Sequence, residues 1–269
     1  TEFRSVQAKA VSYLEGSQIA GDAADPSYGG FPYKQHLGQS ADASNALIAT
    51  NALDEAGLAK DSEVRKRVGT YVSKILNNSE ANTGETEVEV DGEKRTVVSG
   101  VDMGAFYRPG ESKAGMVKRS DGKWEFKSYG SMTYAALKLM MFAGVSPKDP
   151  RVQGVVTWIS NHWTLERNPG FENAEDPVKA GQQGMYYYLY TVTRALSAYE
   201  QATGKPLVVS DADGRTHNWR AEVAAALLQR QAEDGSWRNE IAERWEEGSK
   251  TLATSFAMQT LAYLTGRLR

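Results

Sequence analysis

One layout occurs four times along this chain, and it leaves few folds open. An apolar stretch of helical character runs into a glycine-bearing turn, an aromatic residue follows, and a second apolar helical stretch begins. The sharpest copy is Leu227 to Trp237, which reads Leu-Leu-Gln-Arg-Gln-Ala-Glu-Asp-Gly-Ser-Trp. Gly235 supplies the positive φ that ends a helix cheaply. Gln231, on the last turn, is placed to hydrogen-bond a neighbouring loop, and Trp237 to cover the helix end. Upstream copies are looser. Gln18 is followed by Gly29-Gly30-Phe31, Tyr71-Val72 by Gly104-Ala105-Phe106, and Trp158-Ile159 by Pro169-Gly170-Phe171. Only the first and last keep the glutamine. The second helices are expected near 42–56, 131–143, 185–200 and 251–264. Phe31, Phe106, Phe171 and Trp237 are expected to cap the helices before them. The segments 3–57, 63–144, 149–204 and 216–266 then read as four helical hairpins stacked side by side, the grammar of a repeat protein.

No Pro- or Ser-rich linker interrupts the 269 residues, so a single domain over 1–269 is expected. Hydrophobic content of 41% and charge of 24% are ordinary for a globular chain. A net charge of −3 gives no reason to expect a nucleic-acid partner. No apolar run approaches the roughly 18 residues of a membrane span. The chain contains no cysteine, which excludes disulfides, thiol catalysis and any Cys-containing zinc site. It opens at Thr1 without a signal-like segment, and the compartment is left between the cytoplasm and an exported or envelope location.

The helix that follows residue 42 is rich in small residues (Ala43, Ser44, Ala46, Ala49, Ala52), which allow close approach to neighbours. Strand content is expected only in an insertion of the second unit. There Thr86–Val90 and Lys94–Val98 flank Asp91-Gly92, a hairpin signal.

Several stretches resemble a known family. The Gln-x-x-x-Gly-x-Trp spacing resembles the QW motif of the squalene cyclase and protein prenyltransferase superfamily. Together with Tyr28-Gly29-Gly30-Phe31, the run Arg108 to Gly115, Tyr129 to Ala135 and Asp234-Gly235-Ser236-Trp237, it makes the chain similar to bacterial prenyltransferase/squalene oxidase repeat proteins. The resemblance covers almost the whole sequence. It implies an all-α fold: an α/α toroid in which inner helices ring a central cavity and outer helices surround them. About four hairpins, with a small β-hairpin insertion, imply an incomplete ring or a tighter barrel closed by loops.

The chemistry of that family is not matched residue for residue. Its cyclases protonate an alkene with a clustered Asp-x-Asp-Asp; here Ser40-Ala41-Asp42-Ala43 keeps one carboxylate. Asp42 stands where a helix begins, so N-capping competes with an acid role, and the helix dipole favours its anion. There is no Asp-Asp-x-x-Asp for diphosphate-bound magnesium. The prenyltransferase zinc site would need a cysteine, and His36, His162 and His217 lie in separate units. His36, in the first loop, is the histidine kept as a candidate beside Asp42. Asp211 to Glu222 begins like a calcium loop, but Arg215 and Thr216 break the pattern, so an Asp-Gly turn is expected instead. No metal and no cofactor are expected.

Aromatic and charged residues gather in the loops expected to rim the cavity. Tyr28 and Phe31 lie in the first. Tyr107, Arg108, Glu111 and Lys113 lie in the second, and Tyr129 and Tyr134 just beyond. Tyr186 and Tyr187 open the third inner helix, and Arg244 and Trp245 belong to the last loop. Lys34 and Glu246 stand among them. Such a mouth suits a polar or amphipathic ligand, an isoprenoid or a glycan, or else a protein partner. The leading expectation is therefore a ligand- or partner-binding scaffold. Two alternatives are a terpenoid cyclase-like enzyme with Asp42 as a non-standard acid, and a carbohydrate-active α/α-barrel enzyme using tyrosines, His36 and the Arg108–Lys113 loop.

Overall fold

A computed structural model describes residues 2–34 and 40–266; the candidate His36 lies outside the described residues. Four helices coincide with the expected inner ones: α2 (Ala43–Glu55), α4 (Gly130–Phe142), α7 (Met185–Thr203) and α9 (Lys250–Leu264). Four others precede them in the chain: α1 (Glu2–Ser17), α3 (Glu63–Lys74), α5 (Pro150–Asn161) and α8 (Trp219–Leu228). A short helix, α6 (Pro177–Gly181), interrupts the third connection. Their starts are fixed by capping side chains: Asp42, Ser62, Asp149 and Asn218 each accept a first-turn N–H. Pro150 occupies the first turn of α5, where its missing donor is not needed.

Burial differs from helix to helix, and α9 buries only Ala253, Ala257, Thr260 and Tyr263. Every residue of α4 except Met141 is buried, including Ser131, Thr133 and Lys138, as a helix enclosed on all faces must be. By contrast α3 buries one stripe, Val64, Arg65, Val68, Tyr71 and Val72. The inner helices pack in chain order, α2 on α4, α4 on α7 and α7 on α9. Buried Ala43, Ala46 and Ala49 on α2 permit the close approach. Leu47, Ala135, Tyr190 and Tyr263, one from each inner helix, meet in a small central cluster. The last inner helix also reaches back to the first, because the Tyr263 hydroxyl donates to Glu55. The centre is thus packed rather than open.

One pairing differs from expectation. The outer helix α5 packs on α4 rather than on α7, while α8 contacts both α7 and α9. The long connection from 162 to 184, carrying α6, frees α5 from the helix that follows it.

The fold is helix-rich but not all-α. The expected hairpin is present as β1 (Glu85–Val90) and β2 (Glu93–Val98), with Asp91 and Gly92 both at positive φ, 55° and 78°. Two further strands, β3 (Met116–Lys118) and β4 (Trp124–Phe126), extend it to a sheet of order β1-β2-β4-β3, in which β2 and β4 run parallel. A second ribbon, β5 (Val209–Ser210) with β6 (Thr216–His217), closes over the Asp-Gly turn at 213–214. Runs of two or three residues are too short for a period of two to register in sequence.

The turn aromatics are all buried: Phe31, Phe106, Phe171 and Trp237. Trp237 caps its helix directly, its indole N–H donating to the Leu227 carbonyl at 2.8 Å. Gln18 reaches into the next unit. It donates to Gly29 O and Val64 O at 2.9 and 3.0 Å and accepts from Arg67 Nε at 2.7 Å. Gln231 donates within its own turn, to Gly235 O. No helix among the described residues is long and apolar enough to cross a membrane.

Candidate functional site

Ser44 of α2, Ser131 and Met132 of α4, Tyr187 of α7, and Leu252 and Phe256 of α9 line one cavity of about 190 Å³. All of these lie near the starts of their helices. The far halves of the same helices, at Asp54, Lys138, Gln201 and Tyr263, share a different depression. The four inner helices therefore run parallel, with their N-termini converging on the first cavity. Each such terminus carries about half a positive charge, and carboxylates sit on two of them.

Asp42 is the N-cap of α2. It is 1% exposed, accepts the Asn45 N–H at 2.9 Å and takes the Ser44 hydroxyl as well. Tyr107 also hydrogen-bonds it. Burial, and after it the charge of Asp42, pushes the Tyr71, Tyr107 and Tyr187 phenols well above the ordinary range. These phenols keep their protons. Glu247 serves α7 in the same way. It is also 1% exposed and accepts the Tyr187 N–H at 2.8 Å and Asn239 Nδ2 at 3.0 Å. Burial raises its pKa, and hydrogen bonds from Asn239 and the first-turn backbone oppose that.

The roof of the cavity comes from two loops. In the first, Glu111 pairs with Arg108 at 2.6 Å and with Lys113, whose ammonium lies 4.4 Å from the Tyr107 ring centre. In the second, Asn239 fixes the strap that ends at Glu247, its Oδ1 accepting the Ala242 N–H at 2.9 Å. Trp245 and Glu246 within that strap are both left-handed, with φ of 58° and 64°, a conformation that costs a non-glycine residue about 1–2 kcal/mol. The twist lays the indole over Gly184, where any Cβ would stand 2.9 Å from the ring. Gly184 is itself at φ 65°, so glycine is required there twice over.

Of the residues singled out from sequence, Tyr107, Lys113, Tyr187 and Trp245 line the cavity. Arg108 and Glu111 stand behind Lys113 and orient it. Arg244 stacks on Trp245, 4.7 Å from ring centre to guanidinium, and donates to Gln183 Oε1. The remaining five, expected at the rim, do not line this cavity. Tyr28 lies beside Lys74 on the outer layer, and Phe31 is core. Tyr129 and Tyr134 are buried edge-on against Phe171 and Tyr188, because α4 is enclosed on all sides. Tyr186 faces away and donates to Arg238 O at 3.2 Å. Sequence reasoning missed Ile48, Met132, Leu252 and Phe256. The i,i+4 pairs Ser44/Ile48 and Leu252/Phe256 were the available signal.

The opposite depression, about 710 Å³, is charged. Asp54 there meets Arg65 at 2.7 Å and Lys138 at 2.8 Å, Glu55 meets Arg194 at 3.1 Å, and Glu200 meets Arg220. Cations at helix C-termini offset the negative ends of the dipoles, so this mouth reads as a structural seam. Among the described residues no group of three or more His, Asp or Glu is placed to hold a metal ion. No family model, curated protein or solved structure matches the chain.

Proposed function

We propose that the chain is a small-ligand-binding domain of the squalene cyclase-like α/α repeat class, with its ligand held where the four inner helices begin. The observation that carries this reading is the aromatic-walled cavity beside two carboxylates, Asp42 and Glu247, already engaged as helix caps. A concave, mostly apolar site with a few polar groups is the usual form of a ligand pocket. The packing of α2, α4, α7 and α9 in chain order supports the toroid-like reading, with Tyr263 and Glu55 drawing the first and last units together.

Size argues for a modest ligand. A cavity of about 150 Å³ takes up a benzene ring, whereas drug-sized ligands occupy roughly 300–1,000 Å³. At about 190 Å³ this site suits one ring or a short branched chain. A folded triterpene is several times larger. The cyclase alternative asks Asp42 to protonate an alkene while it accepts the hydrogen bonds of a capping turn. The glycan-cleaving alternative needs two carboxyl groups flanking a bond, and Glu247 is the one acid on the described cavity wall.

A thermal-shift screen of one-ring fragments tests the reading. A fragment near 100 times its Kd stabilises by about 2.7 kcal/mol, several degrees in Tm for a chain of this size. Leu252→Trp, which fills the cavity from its rim, abolishes the shift. No stabilising fragment, or a shift undiminished in the variant, contradicts the proposal. Squalene or geranylgeranyl diphosphate is expected to yield no cyclised product; a product lost in Asp42→Asn would put the cyclase reading in its place.

A further inference from the structure

We propose that this cavity selects a small organic cation, an alkylated ammonium, received on the faces of Tyr107, Tyr187, Trp245 and Phe256. The inference rests on the cavity being the ligand site and adds the class of ligand. Five of its thirteen lining residues are aromatic, Tyr33 being the fifth, against 10% of the chain as a whole. They come from two inner helices and three separate loops, so no single element's composition explains their convergence. Ring faces attract a cation within about 6 Å, and more strongly where water is excluded.

The same walls already hold cations. The Lys113 ammonium stands 4.4 Å from the centre of Tyr107, and the Arg244 guanidinium 4.7 Å from that of Trp245. Four helix N-termini, each of about half a positive charge, would repel a cationic ligand if left uncovered. Asp42 and Glu247 offset them, and Glu111 is shared between Lys113 and Arg108. After burial, the charge of Asp42 is the next influence raising the Tyr187 phenol, and it also raises Tyr107; the same field favours a neighbouring cation. Of the remaining walls, Ile48, Met132 and Leu252 pack well against N-alkyl groups, while the polar ones, Ser44, Ser131 and Glu247, are already engaged by Asp42, by Asn168, and by Tyr187 with Asn239. That chemistry prefers a quaternary or tertiary ammonium to a primary amine or a metal ion.

Calorimetric titration with choline, its neutral isostere 3,3-dimethylbutan-1-ol and the anion 3,3-dimethylbutanoate tests the inference. Choline is expected to bind at least tenfold more tightly than either. Lys113→Met removes the resident cation and frees the Tyr107 face, and is expected to tighten choline binding. An isostere or anion bound as tightly as choline, or a Lys113→Met variant that binds choline more weakly, overturns the proposal. Binding of the isostere or anion without choline leaves the cavity as a ligand site and removes only its preference for cations. If none of the three binds, the reading of the cavity as the ligand site falls with it.

Discussion

Asp54, on the last turn of α2, is surrounded by Arg65, Lys138 and, at 3.5 Å, Lys60. Burial alone would raise its pKa, but Lys138 and Arg65 outweigh burial and hold the carboxyl well below its usual range. A carboxyl depressed on folding stabilises the fold above its unfolded pKa of about 3.9, and that stability drains away as pH falls toward the folded value. Neutral pH therefore lies within the stable window. Asp54→Asn leaves buried Lys138 and Arg65 without a counter-charge, and breaking such a pair costs about 3–5 kcal/mol. Asp54 is a quarter exposed, which places the loss near the lower end. Urea denaturation is expected to show this loss at pH 7 and a shrinking gap between variant and wild type below about pH 4. Equal stability at pH 7 would contradict it. Residues of this kind were hard to read from sequence. Glu247 sits in Glu-Arg-Trp-Glu-Glu, a run that looks like solvated surface. Only the left-handed twist at Trp245 and Glu246 turns it inward.

Helices were more legible than strands. The inner helices fall within a few residues of expectation because their apolar runs are long and end at glycines such as Gly57 and Gly144. The Met116–Lys118 and Trp124–Phe126 strands escaped because three residues carry no periodicity, and pairing with distant β2 defines them. The partner of α5 escaped because a long connection decides it. Among the turns, Trp237 joins sequence to stability most directly. Its indole is 4% exposed and ties the end of α8 to the final turn. Trp237→Ala is expected to cost about 3–5 kcal/mol, as large core truncations do. Trp237→Phe keeps most of the packing and loses the hydrogen bond, about 1 kcal/mol. Denaturation midpoints of both variants check the order, and an unchanged midpoint in Trp237→Ala would make the motif decorative.

Across the whole molecule, four parallel inner helices give the fold two unlike ends. Their C-termini meet at a charged seam in which buried cations face carboxylates. Their N-termini meet at an aromatic cavity roofed by two loops. The composition of that roof was visible in sequence as rim residues, yet which of them face the cavity depends on enclosure: the same tyrosine chemistry is wall at Tyr187 and core at Tyr134. A ligand is expected to enter at the aromatic end rather than at the charged seam. Methionine methyl NMR addresses it directly, because Met132 lines the cavity and Met258, on α9, is 62% exposed and outside it. Titration with choline or 3,3-dimethylbutan-1-ol is expected to shift the Met132 methyl saturably and leave Met258 in place. A still Met132, or a Met258 that moves in its stead, would show that the ligand binds elsewhere.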